Sequence, residues 1–267
     1  MKPLYIFLLW CIGISFAYGQ QTENSVFIKK AKKKSLTVFA AISYPDSTIK
    51  YKKSYEEFNA DGQLTSGVYY LPSGNIQTKV NRTYKDGKLL ESVKDKKKLN
   101  ELEKEVMTYN SSGLLAKKAE FRNEKLIIYF QYYYGHNNRL DSIIWYDSKG
   151  NAQLYEYHHY TDNRLTNITE KTAYGRLDGK TEIFYHENGM VKEEKLFDGF
   201  GEMYEHFSYN ERGQVTERKL IQDKNTTTYT YIYAGNGLLK RSKKELSNTT
   251  KETSYKYKWS KKTAIVP

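Results

Sequence analysis

The stretch that decides the fold is Tyr229-Thr-Tyr-Ile-Tyr233-Ala-Gly-Asn-Gly237-Leu-Leu239. Tyr229, Tyr231 and Tyr233 alternate with Thr230 and Ile232, the period of two that belongs to a strand and not to a helix. Asn236-Gly237 then supplies the positive backbone dihedral of a tight hairpin turn, and the aliphatic pair opens the next strand.

Outward from there the same aromatic, turn, aliphatic phrase returns. It reads Phe58-Asn-Ala-Asp-Gly62-Gln-Leu64, Tyr70-Leu-Pro-Ser-Gly74-Asn-Ile76, Tyr84-Lys-Asp-Gly87-Lys-Leu89 and Tyr109-Asn-Ser-Ser-Gly113-Leu-Leu115. Further copies start at Tyr134, Tyr146, Tyr160, Tyr185 and Tyr209, with weaker ones at Phe121, Tyr174 and Phe197. The spacing clusters near about 12 residues or a multiple of it, which marks a repetitive array of about a dozen units. Subtracting a turn of about four leaves strands of roughly eight residues. Tyr155, Tyr157 and His159 alternate with Glu156, His158 and Tyr160, and Tyr255, Tyr257 and Trp259 with Lys256 and Lys258. The expected fold is all-β: an extended antiparallel β-meander of short hairpin repeats, with little or no helix. A dozen or more strands about 4.8 Å apart would reach on the order of 60 Å, so the sheet should coil, curl or split. The residues leave open whether it stays open, rolls into a barrel or pairs with a second copy; long free edges would favour dimerisation through them.

Residues 1–19 read as a signal peptide: Met1-Lys2, an apolar run from Leu4 to Phe16, then Ala17-Tyr18-Gly19. The run is too short to span a bilayer comfortably; a non-cleaved anchor is the alternative, and after cleavage the chain is not expected to be transmembrane. Residues 20–54 form a basic segment with an opening strand, Leu36 to Tyr44, ended by Pro45-Asp46. The hairpin array follows over 55–259 and a tail over 260–267. Leu99 to Val106 contains good helix formers but stands just before Tyr109-Asn, which assigns it to a strand.

Composition agrees with a wet sheet. A hydrophobic share of 39% and a net charge of +12 would suit disorder, but 26 tyrosines would not. Tyrosine packs by its ring and leaves its hydroxyl in water. Cys11, the single cysteine, lies inside the apolar run, so cleavage after Gly19 removes all thiol chemistry. Export without disulfides fits a bacterial periplasm or cell surface. The basic surplus draws such a protein to anionic surfaces, or simply keeps a long sheet soluble.

Chemistry-bearing patterns are scarce. His136, His158, His159, His186 and His206 match no metal-ligand spacing, and His158 and His159 point to opposite faces of one strand. No nucleophile elbow or phosphate loop is present. Glu56-Glu57, Glu193-Glu194, Glu101 and Glu103 read as solvated strand faces. The expectation is no enzyme, no cofactor and no metal; two acids or several histidines meeting in a concave pocket would revive an enzymatic reading. The candidate ligand-facing residues are Tyr155, Tyr157, Tyr229, Tyr231, Tyr233, Tyr255, Tyr257 and Trp259. Their rings either stack on sugar faces or pack across strands as glue.

The segment Leu154-Tyr-Glu-Tyr-His-His-Tyr-Thr-Asp-Asn-Arg-Leu-Thr-Asn-Ile168 resembles the YD repeats of the RHS family, and Tyr146-Asp147 and Tyr209-Asn-Glu-Arg-Gly-Gln-Val-Thr-Glu217 fit the same template. Tyr185-His-Glu-Asn-Gly-Met-Val-Lys-Glu-Glu194 is similar to MORN-variant repeats of the antitoxin-like kind. The likeness runs from about Tyr55 to Leu239. It implies an antiparallel meander; large RHS proteins build shells around toxins, and some surface members bind carbohydrate. Residues and resemblance together point to an exported binding or scaffolding protein at the bacterial envelope. Two alternatives stand beside it: a carbohydrate- or cell-wall-binding module using aromatic sheet faces, and an immunity-type partner of a secreted toxin. Partners would be an envelope protein or polysaccharide; nucleic acid is not expected.

Overall fold

The computed structural model describes residues 34–44, 46–222, 225–246 and 249–260; the signal-peptide segment, most of 20–54 before the opening strand, and the tail past 260 lie outside the described residues. The strands are β1 (Ser35–Tyr44), β2 (Ser47–Phe58), β3 (Leu64–Tyr70), β4 (Ile76–Lys85), β5 (Lys88–Lys96) and β6 (Glu101–Tyr109). Then come β7 (Leu115–Arg122), β8 (Lys125–Tyr134), β9 (Leu140–Asp147), β10 (Ala152–Thr161), β11 (Arg164–Thr172) and β12 (Leu177–Tyr185). The last six are β13 (Val191–Asp198), β14 (Met203–Tyr209), β15 (Val215–Gln222), β16 (Asn225–Tyr233), β17 (Leu239–Leu246) and β18 (Thr249–Ser260). Among the described residues one 3-10 turn, His136–Asn138, sits in the β8–β9 connection.

Each strand runs antiparallel to the one before it, and β1 pairs with β18 as well as with β2, from Ser35↔Ser260 to Ser43↔Glu252. The expected meander is therefore curled until it meets itself, as an 18-stranded closed sheet. Closure answers what the sequence left open and corrects one expectation. No described strand keeps a free edge, so edge-to-edge dimerisation has no unpaired backbone to use.

Local chemistry explains the turns. In Tyr109-Asn110-Ser-Ser-Gly113 and its relatives, the first turn residue caps the loop with its own side chain. Asp147 Oδ1 accepts from the backbone N–H groups of Lys149 at 2.9 Å and Asn151 at 2.8 Å. Asn59, Asp198 and Asn210 each repeat that double acceptance. The glycine three positions on takes the left-handed conformation, φ +79° at Gly113 and +89° at Gly150. Two-residue turns at Asp86-Gly87 and Asp162-Asn163 have positive φ at both positions, the hairpin geometry that matches strand twist.

The aromatic and aliphatic ends of the phrase turn out to be partners. The register slips by one residue between Tyr84 and Leu89, Tyr109 and Leu115, Tyr134 and Leu140, and Tyr160 and Leu165. Such bulges add twist and so help curl the sheet. The same tyrosines reach to the leucine carbonyl at the start of the preceding, directly paired strand: Tyr84 donates to Leu64 at 3.0 Å, Tyr109 to Leu89 at 2.8 Å, Tyr134 to Leu115 at 2.9 Å, Tyr160 to Leu140 at 2.8 Å and Tyr185 to Leu165 at 2.7 Å. Tyr257 closes the series on Leu239 at 2.5 Å. These latches recur about every 25 residues, so the structural unit is a whole hairpin, two of the shorter phrases.

Strand register divides the wall into two faces. Leu36, Val38, Ala40 and Ile42 of β1 are buried and mark the inner one. Inner apolar side chains gather in two patches. Phe130, Ile143, Trp145 and Leu154 form one, with Phe130 and Trp145 edge to face at 5.2 Å. Leu196, Phe207, Tyr209 and Val215 form the other, covered by Tyr204 and Tyr231. The outer wall is laced with ion pairs in mid-strand: Glu91–Lys104 at 2.6 Å, Lys180–Glu182 at 2.7 Å, Lys219–Glu217 at 2.8 Å and Lys243–Glu245 at 2.6 Å. A lipid-facing barrel carries an apolar band at that height; β5–β6, β12, β15 and β17 carry charged pairs there instead. The glutamate pairs do not lie wholly on solvated faces, as the sequence suggested. Alternation turns Glu56 and Glu194 inward while Glu57 and Glu193 stay outside.

Candidate functional site

Two features stand apart from the repeating frame. The first is on the outer wall of β8–β10. Here the run Tyr129-Phe-Gln-Tyr-Tyr-Tyr134 sends Tyr129, Gln131 and Tyr133 outward, and β9 and β10 add Ile144, Tyr146, Tyr155 and Tyr157. Tyr129 and Tyr146 are direct cross-strand neighbours, and their rings stack at 4.8 Å with 8° between planes. Tyr155 and Tyr157 stack at 6.4 Å and 10°. Tyr133 donates to Gln131 Oε1 at 2.8 Å. Burial first, and then a hydrogen bond with Tyr133, push the Tyr146 hydroxyl up to about 12.

Within this face Ser142 of β9 pairs with Tyr133 on one side and Tyr157 on the other. Tyr133 is 43% exposed and Tyr157 38%, which leaves both rings available above a small floor. Their strands are two spacings apart, roughly 10 Å, a gap that admits a flat ring between them.

The charge pattern changes with the aromatics. Across five strands the mid-strand outward positions are Lys117 and Ala119 of β7, the β8–β10 residues just named with Ser142 and His159, and Asn167, Thr169 and Lys171 of β11; none carries a carboxylate. Lysines stand at both margins. Lys117 Nζ lies 4.2 Å from the Tyr129 ring centre and Lys171 Nζ 5.9 Å from that of Tyr157, within cation–π range. Asp147 lies at the rim, held below its usual range by hydrogen bonds from Asn151 and Lys149.

The second feature is a set of acids on the inner face of β10–β14. Glu156 and Glu170 face each other across β10 and β11, only 5% and 7% exposed. Burial, then the charges of Glu156 and Asp178, push the Glu170 carboxyl up to about 8. Gly179 makes room for it, since a Cβ there would come within 2.9 Å of Glu170 Oε2. Glu156 meets His158 Nε2 at 2.6 Å, and Glu205 meets Arg218 Nε at 2.5 Å. Glu194 is pushed up to about 7 by burial, against a hydrogen bond from Tyr209. A cavity of about 740 Å³ lies elsewhere, against Tyr185, His186, Lys192 and Glu211. Among the described residues no group of three or more His, Cys, Asp or Glu side chains is placed to hold a metal.

The aromatics singled out from sequence separate accordingly. Tyr155 and Tyr157 stand on the outer tyrosine face. Tyr229, Tyr231, Tyr233, Tyr255 and Tyr257 belong to the inner face, where Tyr255 meets Ser242 at 3.1 Å and Tyr257 serves as a latch. Trp259 pairs in backbone register with Leu36; its side chain lies outside the described residues. Tyr129, Tyr133 and Tyr146 were missed, although the period-two reading of 129–134 places Tyr129 and Tyr133 on one face.

No family model matches the chain, and no curated protein matches it. Among solved structures, a porin-like protein from Bacteroides uniformis matches at 14% identity over 85% of this chain and 96% of that one, with a TM-score of 0.43. A porin-like protein from Bacteroides vulgatus matches at 13% identity over 82% and 97%, with a TM-score of 0.29. The TcdB2-TccC3 structure matches at 11% identity over 78% of this chain and 14% of that one, with a TM-score of 0.30. At these values the likeness says nothing of what the barrel binds.

Proposed function

We propose that this protein is exported to the periplasm or surface of a bacterium and acts there without catalysis, as a binding protein that holds an envelope polysaccharide against its outer tyrosine face. The observation that carries this reading is the pair Tyr133 and Tyr157, exposed on either side of Ser142 in a wall otherwise laced with ion pairs. A sugar ring offers apolar C–H faces to stack on tyrosine and hydroxyls for the polar margin, here Gln131, Thr169 and His159. The stack with Tyr155 holds the Tyr157 ring and the hydrogen bond to Gln131 holds Tyr133, so less side-chain freedom is lost on binding. A round barrel of this strand number can enclose a channel, but the inner tyrosines are committed to latches and packing.

Titration calorimetry against a panel of bacterial and plant glycans tests the reading. One class should bind, and Tyr133→Ala or Tyr157→Ala should weaken it at least tenfold, about 1.4 kcal/mol. Phe184→Ala, an outward aromatic on the ion-paired wall, should leave binding unchanged. Absence of binding across the panel, or binding indifferent to both tyrosines, would remove the proposal.

A further inference from the structure

Resting on that reading of the tyrosine face, we propose that its ligand is an anionic polysaccharide, a chain of carboxylate-bearing sugars, and that Lys117 and Lys171 read its charge.

The contrast along the outer wall carries this inference. On β12–β17 outward glutamates meet cations: Glu182 meets Lys180, Glu193 meets Lys195 and His206, and Glu217 meets Lys219. On β7–β11 the mid-strand acids are gone and the lysines stay. Among the described residues neither Lys117 nor Lys171 pairs with a carboxylate; each faces a tyrosine ring instead. An ammonium beside a stacking ring sits where the carboxylate of a stacked sugar would project. Removing the acids removes the repulsion that would reject such a chain, so the same substitutions supply attraction and exclude nothing of that sign. The two lysines stand four strand spacings apart, roughly 19 Å, at the ends of the row Lys117–Gln131–Ile144–Tyr155–Lys171, so one chain lying across the strands can meet both, with the Tyr133–Ser142–Tyr157 gap in the adjacent row.

The test uses the full exported chain and two polymers, polygalacturonate and alginate, each beside its carboxyl-reduced form. That comparison keeps the sugar chain and removes the charge. At least one acidic polymer should bind tenfold or more tightly than its reduced form, and its affinity should fall steeply as salt rises. Lys117→Gln with Lys171→Gln should bring the acidic polymer down to the level of the reduced one, while Lys50→Gln with Lys256→Gln, outward lysines opposite Ala41 and Phe39 at the closure seam, should not. Equal affinity for acidic and reduced forms, with both lost in Tyr133→Ala, overturns the charge inference and leaves the tyrosine face standing. Loss in the seam variant equal to that in the Lys117 and Lys171 variant also overturns it, since attraction would then be a property of net charge. No binding of either form, acidic or reduced, overturns this inference and counts against the reading beneath it.

Discussion

Glu193 and Glu194 are consecutive on β13 and live under opposite rules. Glu193 points outward; burial is the largest single influence and raises its carboxyl, but the hydrogen bonds and charges of His206 and Lys195 together outweigh it and hold the group low. Glu194 points inward, where burial raises it to about 7 with no cation opposite. The difference holds across this half of the barrel. The outer wall settles its acids by pairing, and on the inner face burial raises the proton affinity of Glu170 and Glu194. Glu205, inward but paired with Arg218, shows that the inner face has both solutions available. A single hairpin unit thus supports two surfaces of different chemistry, because alternation makes them independent.

A change of pH separates the two faces most strongly. Glu170 is raised from the ordinary value of 4.5 to about 8 and Glu194 to about 7. For a raised acid the folded state gains from the bound proton, so their contribution is fully present below about 4.5 and is lost as pH rises through 7 and 8. Urea unfolding between pH 5 and 9 should show stability falling by on the order of a few kcal/mol. Glu170→Gln should flatten most of that slope, and Glu193→Gln on the outer face should not. A slope unchanged in Glu170→Gln would mean the inner acids are ionised after all.

A smaller effect should come from the latches. Tyr134→Phe removes one hydroxyl donated to Leu115 and should cost about 1 kcal/mol, read as a lower urea midpoint at constant slope. The smallest should come from the outer pairs. Lys180→Ala with Glu182→Ala should change stability by less than about 1 kcal/mol, with a coupling that fades in salt. A latch weaker than an outer pair would reverse the ranking of the two faces.

Much of this is legible in the sequence itself. Turn residues act within four or five positions, so Asn110 to Gly113 and Asp86-Gly87 announce their hairpins directly. The strand assigned to the segment ending at Val106 is β6, where alternation along the sheet prevails over local helix propensity. Which face is inside was less accessible. On β10 the polar members Glu156 and His158 go in while Tyr155 and Tyr157 go out, the reverse of a hydrophobic ordering. That choice follows from closure onto β1, more than a hundred residues away in sequence, and no local pattern encodes it. The kinds of aromatic were hidden for a similar reason. Tyr146 and Tyr160 head equivalent phrases, yet one stacks outside and the other latches a carbonyl inside, because successive phrases end at opposite rims.

The pairing of Ser35 with Ser260 has one more consequence. In this ring of hairpins no strand is first, and the position of the chain break is incidental to the architecture. A short peptide joining 260 to 35, with a new break at Asp86-Gly87, would keep every ladder and move only the order in which the ribosome delivers the strands. In the natural order β1 must wait for nearly the whole chain before its second neighbour exists. Until then the nascent barrel has two open sides, and its last pairing to form is the one that makes it a closed body.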